Sequence, residues 1–201
     1  MDRRAFLATL SAAATAGSVS RVLGQTSSGG PGTRNLITDV PGLSVGQSED
    51  AKVRTGVTVI LADKLSTCAV DVRGGGPGTR ETDVLDSYNL VHAADAVVLS
   101  GGSVYGLAAG DGVAAWLGAH DRGYGLANGA GIPKSPIVPT AILYDLANKG
   151  DKGWGTEPPY RGLGMRAIES AGQDFKLGTA GAGYGAECGA LKGGVGSASY
   201  V

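Results

Sequence analysis

The chain has 201 residues and a net charge of −1, from 17 Lys and Arg against 18 Asp and Glu. That length gives room for one domain with a real core. The balanced charge, the lack of a basic stripe and an aromatic content of 5% argue against a nucleic-acid partner. Glycine accounts for 36 residues, well above the usual ~7%. The glycines are interspersed among apolar runs without a repeat, which excludes collagen-like and low-complexity chains and points to tight turns and close backbone contacts.

Residues 1–25 have the charged, then apolar, then small-residue layout of an export signal. The pattern Arg3-Arg4-x-Phe6-Leu7 resembles the twin-arginine type, with which bacteria export proteins already folded. A periplasmic or secreted location is therefore expected. The apolar run ends near Ala16 and is too short to span a bilayer, so no membrane anchor is expected. Residues 26–34 read as a flexible linker and residues 35–201 as the folded domain.

Residues 35–46 read as two short strands around the Pro41-Gly42 turn. Residues 56–61 form a strand, and residues 66–73 a valine-rich strand paired with it across a hairpin at 62–65. Residues 74–80 are a glycine loop; no Gly-Lys-Ser/Thr follows, so it is not a P-loop. Thr79 then caps a helix over residues 81–94, which carries His92.

The centre of the chain is a strand, turn and helix. Ala96 to Leu99 are apolar without alternation, which predicts a strand covered on both faces. Ser100-Gly101-Gly102-Ser103 form the turn, and a helix over residues 107–118 carries Val113, Trp116 and Leu117. Backbone N–H groups and a helix dipole at such a corner can hold an anion or a polarised carbonyl. Ser100, Gly101, Gly102 and Ser103 are therefore the candidate substrate-binding residues. Close packing would ask for the same glycines.

Residues 124–134 read as a polar surface loop and residues 136–146 as an apolar strand. Tyr144, near the end of that strand, is by itself an aromatic cap on the core. Residues 148–161 are loop, and residues 162–172 a short helix. Residues 178–186 are the richest glycine segment, without the strand and Gly-x-Gly-x-x-Gly spacing of a dinucleotide fold. Residues 191–201 begin a further strand. Cys68 and Cys188 are expected to be two small buried thiols, although an exported protein could join them. Two cysteines and two histidines, His92 and His120, without paired spacing make a zinc site unexpected. No metal and no cofactor is expected. His120 follows a helix as a solvated residue.

Several blocks in order resemble the P1 family of peptidases, which includes L-aminopeptidase/D-esterases, β-peptidyl aminopeptidases and nylon-oligomer hydrolases. The blocks are Thr58-Val59-Ile60, Val70 through Asp83, Leu99 through Leu107, Pro136 through Asp145, Gly181-Ala182-Gly183, and Leu191 through Ser199. They cover nearly all of residues 35–201. The resemblance implies an α/β, four-layer αββα sandwich, incomplete at the C-terminus. It also implies a precursor that cuts itself into a larger α chain and a smaller β chain. The new N-terminal Ser or Thr of the β chain is the nucleophile and its own amine can serve as base, while preset donors receive the oxyanion.

On that resemblance Tyr144 contacts the carbonyl or oxyanion, and Lys192 supports the nucleophile or oxyanion electrostatically. The residues alone read Lys192 as a solvated turn residue, and with the resemblance the two readings stand about equal. The resemblance places the oxyanion asparagine, the cleavage point, the nucleophile and the acidic residues beyond Val201. Ser100, Ser103, Ser197 and Ser199 do not substitute, since none has a nucleophile elbow or a histidine and acid partner. The expected function is the N-terminal portion of an autoprocessed N-terminal-nucleophile aminopeptidase or amidohydrolase. It would cut small peptides or amides near a free amine, be inactive alone, and have as partners its β chain and further copies of itself. A non-catalytic small-molecule-binding module and an inactive remnant are the alternatives.

Overall fold

The computed structural model describes residues 29–91, 93–125 and 131–201. The expectations for the export signal, for His92 and for residues 126–130 of the surface loop lie outside them. Five strands form one sheet: β1 (Leu43–Asp50), β2 (Thr55–Thr67), β3 (Thr79–Arg80), β4 (Ala93–Ser100) and β5 (Thr140–Ile142), in the order β1-β2-β4-β5-β3. β2 pairs antiparallel with both β1 and β4, while β4 and β5 run parallel. Helices α1 (Ala108–Ala119) and α2 (Tyr160–Glu169) make the second layer. A small hairpin, β6 (Glu187–Cys188) and β7 (Leu191–Lys192), stands apart from the sheet.

Strand alternation decides which face is the core. Val57 and Val59 of β2 and Ala96 and Val98 of β4 are buried with Val113, Leu117, Leu163 and Ile168 of the two helices. The intervening residues point to the opposite face. There the 3-10 turn Gly181–Gly183 crosses β2, and the Ala182 N–H donates to Thr58 Oγ1 at 3.0 Å. Ile60, Val97 and Ala141 on that face are only half-buried, and Leu99 is 38% exposed. Pairing aligns Ile60 with Val97, and Leu99 with both Thr58 and Ala141, so these side chains form one apolar row.

Two glycines set the spacing of the helices. A Cβ on Gly112 of α1 would run into the Arg161 carbonyl of α2, and one on Gly164 of α2 would run into the Ala109 carbonyl of α1. The helices meet backbone to backbone, an approach that only residues without a side chain allow.

The central strand, turn and helix lie where the sequence puts them. A 3-10 turn over Ser103–Leu107 precedes α1. Other expectations are corrected. Residues 35–46 hold one strand start, not two strands, because Ile37–Asp39 winds into a 3-10 turn. The Asp39 carboxylate accepts the Arg34 and Leu36 N–H groups, and the Leu36 contact holds this carboxyl below its ordinary pKa. There is no hairpin at 62–65. β2 continues past an irregularity, and Ser66 and Thr67 pair with Ala94 and Ala93 of β4. Residues 68–73 consequently lie beyond the sheet, with Val70 and Val72 exposed.

The helix expected over residues 81–94 is absent among its described residues. Glu81 has φ +58, against a helical first turn, and its carboxylate instead accepts the Val138 N–H at 2.9 Å. Only Asp83–Leu85 is helical, as one 3-10 turn. The apolar run from 136 pairs only over Thr140–Ile142, since Pro136 and Pro139 have no N–H to give. The second helix begins at Tyr160, two residues before its expected start. Cys68 is half-buried and Cys188 exposed, and both thiols are free, which corrects the expectation of buried thiols. His120 is exposed and stacks on Trp116, with ring centroids 3.7 Å apart.

Residues 195–201 form no long strand. Val195 bridges to Gly178, and Val201 and Gly30 exchange two backbone hydrogen bonds. Ser197 Oγ accepts the Ile37 N–H, and Ser199 Oγ donates to Asp39. Among the described residues no helix is long and apolar enough to cross a membrane.

Substituting Gly164→Ala is expected to cost about 1–3 kcal/mol despite alanine's better helix propensity, because the obstructing atom is a backbone carbonyl. Gly75 has open space around it, so Gly75→Ala should stay within about 0.5 kcal/mol of the parent. Urea unfolding of both variants checks this; equal midpoints would refute the helix contact.

Candidate functional site

The corner after β4 is built around a carboxylate. Asp145 is 2% exposed. Its Oδ1 accepts the Gly102 N–H at 2.7 Å and its Oδ2 accepts the Thr55 hydroxyl at 2.6 Å. The neighbouring N–H groups are also taken: Gly101 donates to the Gly56 carbonyl and Ser103 to the Leu143 carbonyl, each at 3.0 Å. The Ser100 hydroxyl is buried and donates to the Gly101 carbonyl. A Cβ on Gly101 would overlap Asp145, and one on Gly102, at φ +87, would overlap the Tyr160 ring.

The Gly102 donor at this corner is thus met by the protein's own Asp145 carboxylate. This corrects the expectation that the N–H groups of Gly101, Gly102 and Ser103 are open to a substrate. Of the four expected binding residues, Ser103 is half-buried and Ser100, though buried, lines the apolar cleft described below. Asp145 was missed, although an acid at the end of an apolar run is a signal for a buried, hydrogen-bonded carboxylate.

Tyr144, the residue before Asp145, is 63% exposed. Lys192 of β7 donates to the Gly183 carbonyl at 2.8 Å and to the Gly193 carbonyl at 2.6 Å. Two clefts adjoin here. One, of about 320 Å³, is largely apolar and is lined by Leu99, Ile142, Leu143, Ala182, Gly183 and Val195 among others. The second, of about 290 Å³, is polar and includes Arg54, Asn148, Tyr184, Glu187 and Lys192. Lys192 lines the polar cleft while its ammonium is tied to Gly183 of the apolar one. Tyr144 lies between Leu143, which lines the apolar cleft, and Asp145, which abuts Gly185 of the polar cleft. Tyr144 itself lines neither cleft, and no hydrogen bond joins it to Lys192.

A fixed ammonium and an exposed phenol can polarise a carbonyl and stabilise negative charge forming on its oxygen. The serines do not add a nucleophile. Ser197 and Ser199 brace the N-terminal segment, and Ser100 is turned inward. Among the described residues no group of His, Cys, Asp and Glu could hold a metal ion.

Tyr160 lies beneath Gly102, fully buried, with no hydrogen-bond partner for its hydroxyl among the described residues. Burial pushes its pKa up to about 12. The unfolded chain loses this proton near pH ~10, so stability is expected to fall as pH rises from about 10 to about 12. Tyr160→Phe should weaken that alkaline decline and, by removing an unpartnered hydroxyl, match the parent or gain about 1 kcal/mol at neutral pH. Unfolding titrations across pH 8–12 (about one unit per step) test this; an unchanged alkaline slope would rule it out.

Residues 35–201 match peptidase family S58. An uncharacterized aminopeptidase of Mycobacterium tuberculosis is 48% identical over 173 residues, which are 82% of this chain and 48% of that protein. A 6-aminohexanoate-oligomer endohydrolase of Kocuria is 35% identical over 159 residues, 79% of this chain and 40% of that protein. The chain spans about half the length of the curated relatives it matches. In fold it is similar to a Burkholderia beta-aminopeptidase, with TM-score 0.60 and 24% identity over 80% of this chain and 45% of that one. It is equally similar to the L-aminopeptidase D-Ala-esterase/amidase of Ochrobactrum anthropi, a variant of the Ntn-hydrolase fold, with TM-score 0.60 and 20% identity over 81% and 47%. The mixed α/β architecture is that of these aminopeptidases, and the chain belongs to peptidase family S58.

Proposed function

We propose that this chain is the N-terminal, α-chain portion of an exported N-terminal-nucleophile aminopeptidase or amidohydrolase that hydrolyses small peptides or amides next to a free amine. The observation that carries the reading is the placement of Lys192. Its ammonium is tethered by two carbonyls where the two clefts adjoin, beside the stretch that carries Tyr144. A substrate lying across that junction would present its carbonyl to both groups. Lys192 supplies fixed positive charge for the oxyanion or nucleophile, and Tyr144 contacts the carbonyl oxygen.

The nucleophile, with its own amine as base, is supplied by a β chain of the same precursor. The apolar row of Ile60, Val97, Leu99 and Ala141 supports this reading, since it is a sheet face that a second sheet would cover. That sheet and its helices would complete four layers. Further copies of the processed protein would assemble with it in the periplasm or outside the cell.

Intact mass of the protein from its native source, under denaturing conditions, should show two polypeptides, the smaller beginning with Ser or Thr. A single uncut polypeptide would overturn the autoprocessing. In the processed protein, Lys192→Ala and Tyr144→Phe should each lower kcat/KM on amino-acid p-nitroanilides by about 10²-fold. Unchanged kinetics would remove these two residues from the mechanism.

A further inference from the structure

We propose that the polar cleft is a carboxylate site in which Arg54 receives the free acid end of a short substrate. This rests on the reading above for the direction in which the substrate lies, and it adds a specificity determinant to it.

Arg54 sits at the turn between β1 and β2 with φ +57. Non-glycine residues adopt that backbone at a cost. Asn148 holds it there: the Asn148 amide donates to the Arg54 carbonyl at 2.6 Å, and Arg54 Nη1 donates to the Asn148 carbonyl at 3.1 Å. The guanidinium is thereby fixed at the cleft wall, and among the described residues the rest of its planar fork of donors is unengaged. Among the described residues no carboxylate forms an ion pair with it.

The other charges agree. Lys192 shares the lining and faces Glu187 directly across the β6–β7 pair, yet its ammonium goes to the Gly183 and Gly193 carbonyls. Lys152, behind the cleft, donates to Asn148 Oδ1 at 3.0 Å and to the Val53 carbonyl. The one carboxylate close to these groups and deeply buried, Asp145, already has both oxygens hydrogen-bonded. The lining carries two cations and one anion, so a small carboxylate is the ligand that balances it. A volume of about 290 Å³ is that of about ten waters, enough for a carboxylate with a few carbons. The apolar cleft on the other side of Lys192 would then take an uncharged part of the same substrate.

Calorimetry on the full-length protein at low salt tests this with N-acetylglycine and its uncharged counterpart N-acetylglycinamide. The acid is expected to bind about tenfold more tightly, with a difference that shrinks as salt is added. Arg54→Gly keeps the carbonyl that Asn148 needs and suits the left-handed φ, so it preserves the turn; it should bring the ratio to about one. Arg54→Lys should restore part of the preference. Equal binding of acid and amide by the parent, or an unchanged ratio in Arg54→Gly, overturns the proposal. So does Arg54-dependent binding of inorganic phosphate without binding of N-acetylglycine. Because binding is read directly, absence of hydrolysis would count against the proposed activity and not against the cleft.

Discussion

The two hydrogen bonds accepted by Asp145 are what the rest of the site depends on. One ties the end of β5 to Thr55 at the start of β2, and the other ties it to Gly102 in the turn after β4. Two chain segments are thus fixed to a carboxylate carried by a third. Arg54 precedes Thr55 and Tyr144 precedes Asp145, so the same contact sets the polar cleft on one side and the exposed phenol on the other. A buried carboxylate is tolerated only when its oxygens are bonded, and here both are. The glycines at 101 and 102 follow from it: the space their side chains would need is filled by Asp145 and by the Tyr160 ring.

The second constraint is the close approach of the helix layer. Gly112 and Gly164 bring α1 and α2 into backbone contact, and Gly46 of β1 does the same against the Ala167 carbonyl of α2. With small residues at the contacts, the larger apolar side chains of the helices are freed to fill the space over Val57, Val59, Ala96 and Val98. The sheet's other face carries a lighter cover, the Gly181–Gly183 turn on Thr58 and the open row beside it. One face is packed as an interior, and the other carries a partly open apolar row.

The strand, turn and helix from Ala96 to Gly118 were readable because three independent signals agreed: an apolar run, a glycine turn and small-residue helical spacing. The family, too, was legible, since its blocks follow one another in order along residues 35–201. Where a single local signal was followed, tertiary contacts overrode it. Thr79 looks like a cap, but Glu81 turns left-handed to bond the Val138 N–H. Residues 62–65 look like a turn, but β4 offers Ser66 and Thr67 partners further along. At residues 100–103 the Gly102 N–H goes to Asp145, 43 positions away in sequence, a partner that no local pattern announces. Arg54 gives no sequence signal at all; its importance lies in the Asn148 contact and the backbone geometry.

The pairing of Gly30 with Val201 means that the described domain is nearly a closed ring. The two residues exchange both backbone hydrogen bonds, and Asp39, Asn35 and Gly32 reach across to Ser199. Order around residue 30 is therefore conditional on order around residue 200, and a change that loosens one segment loosens the other.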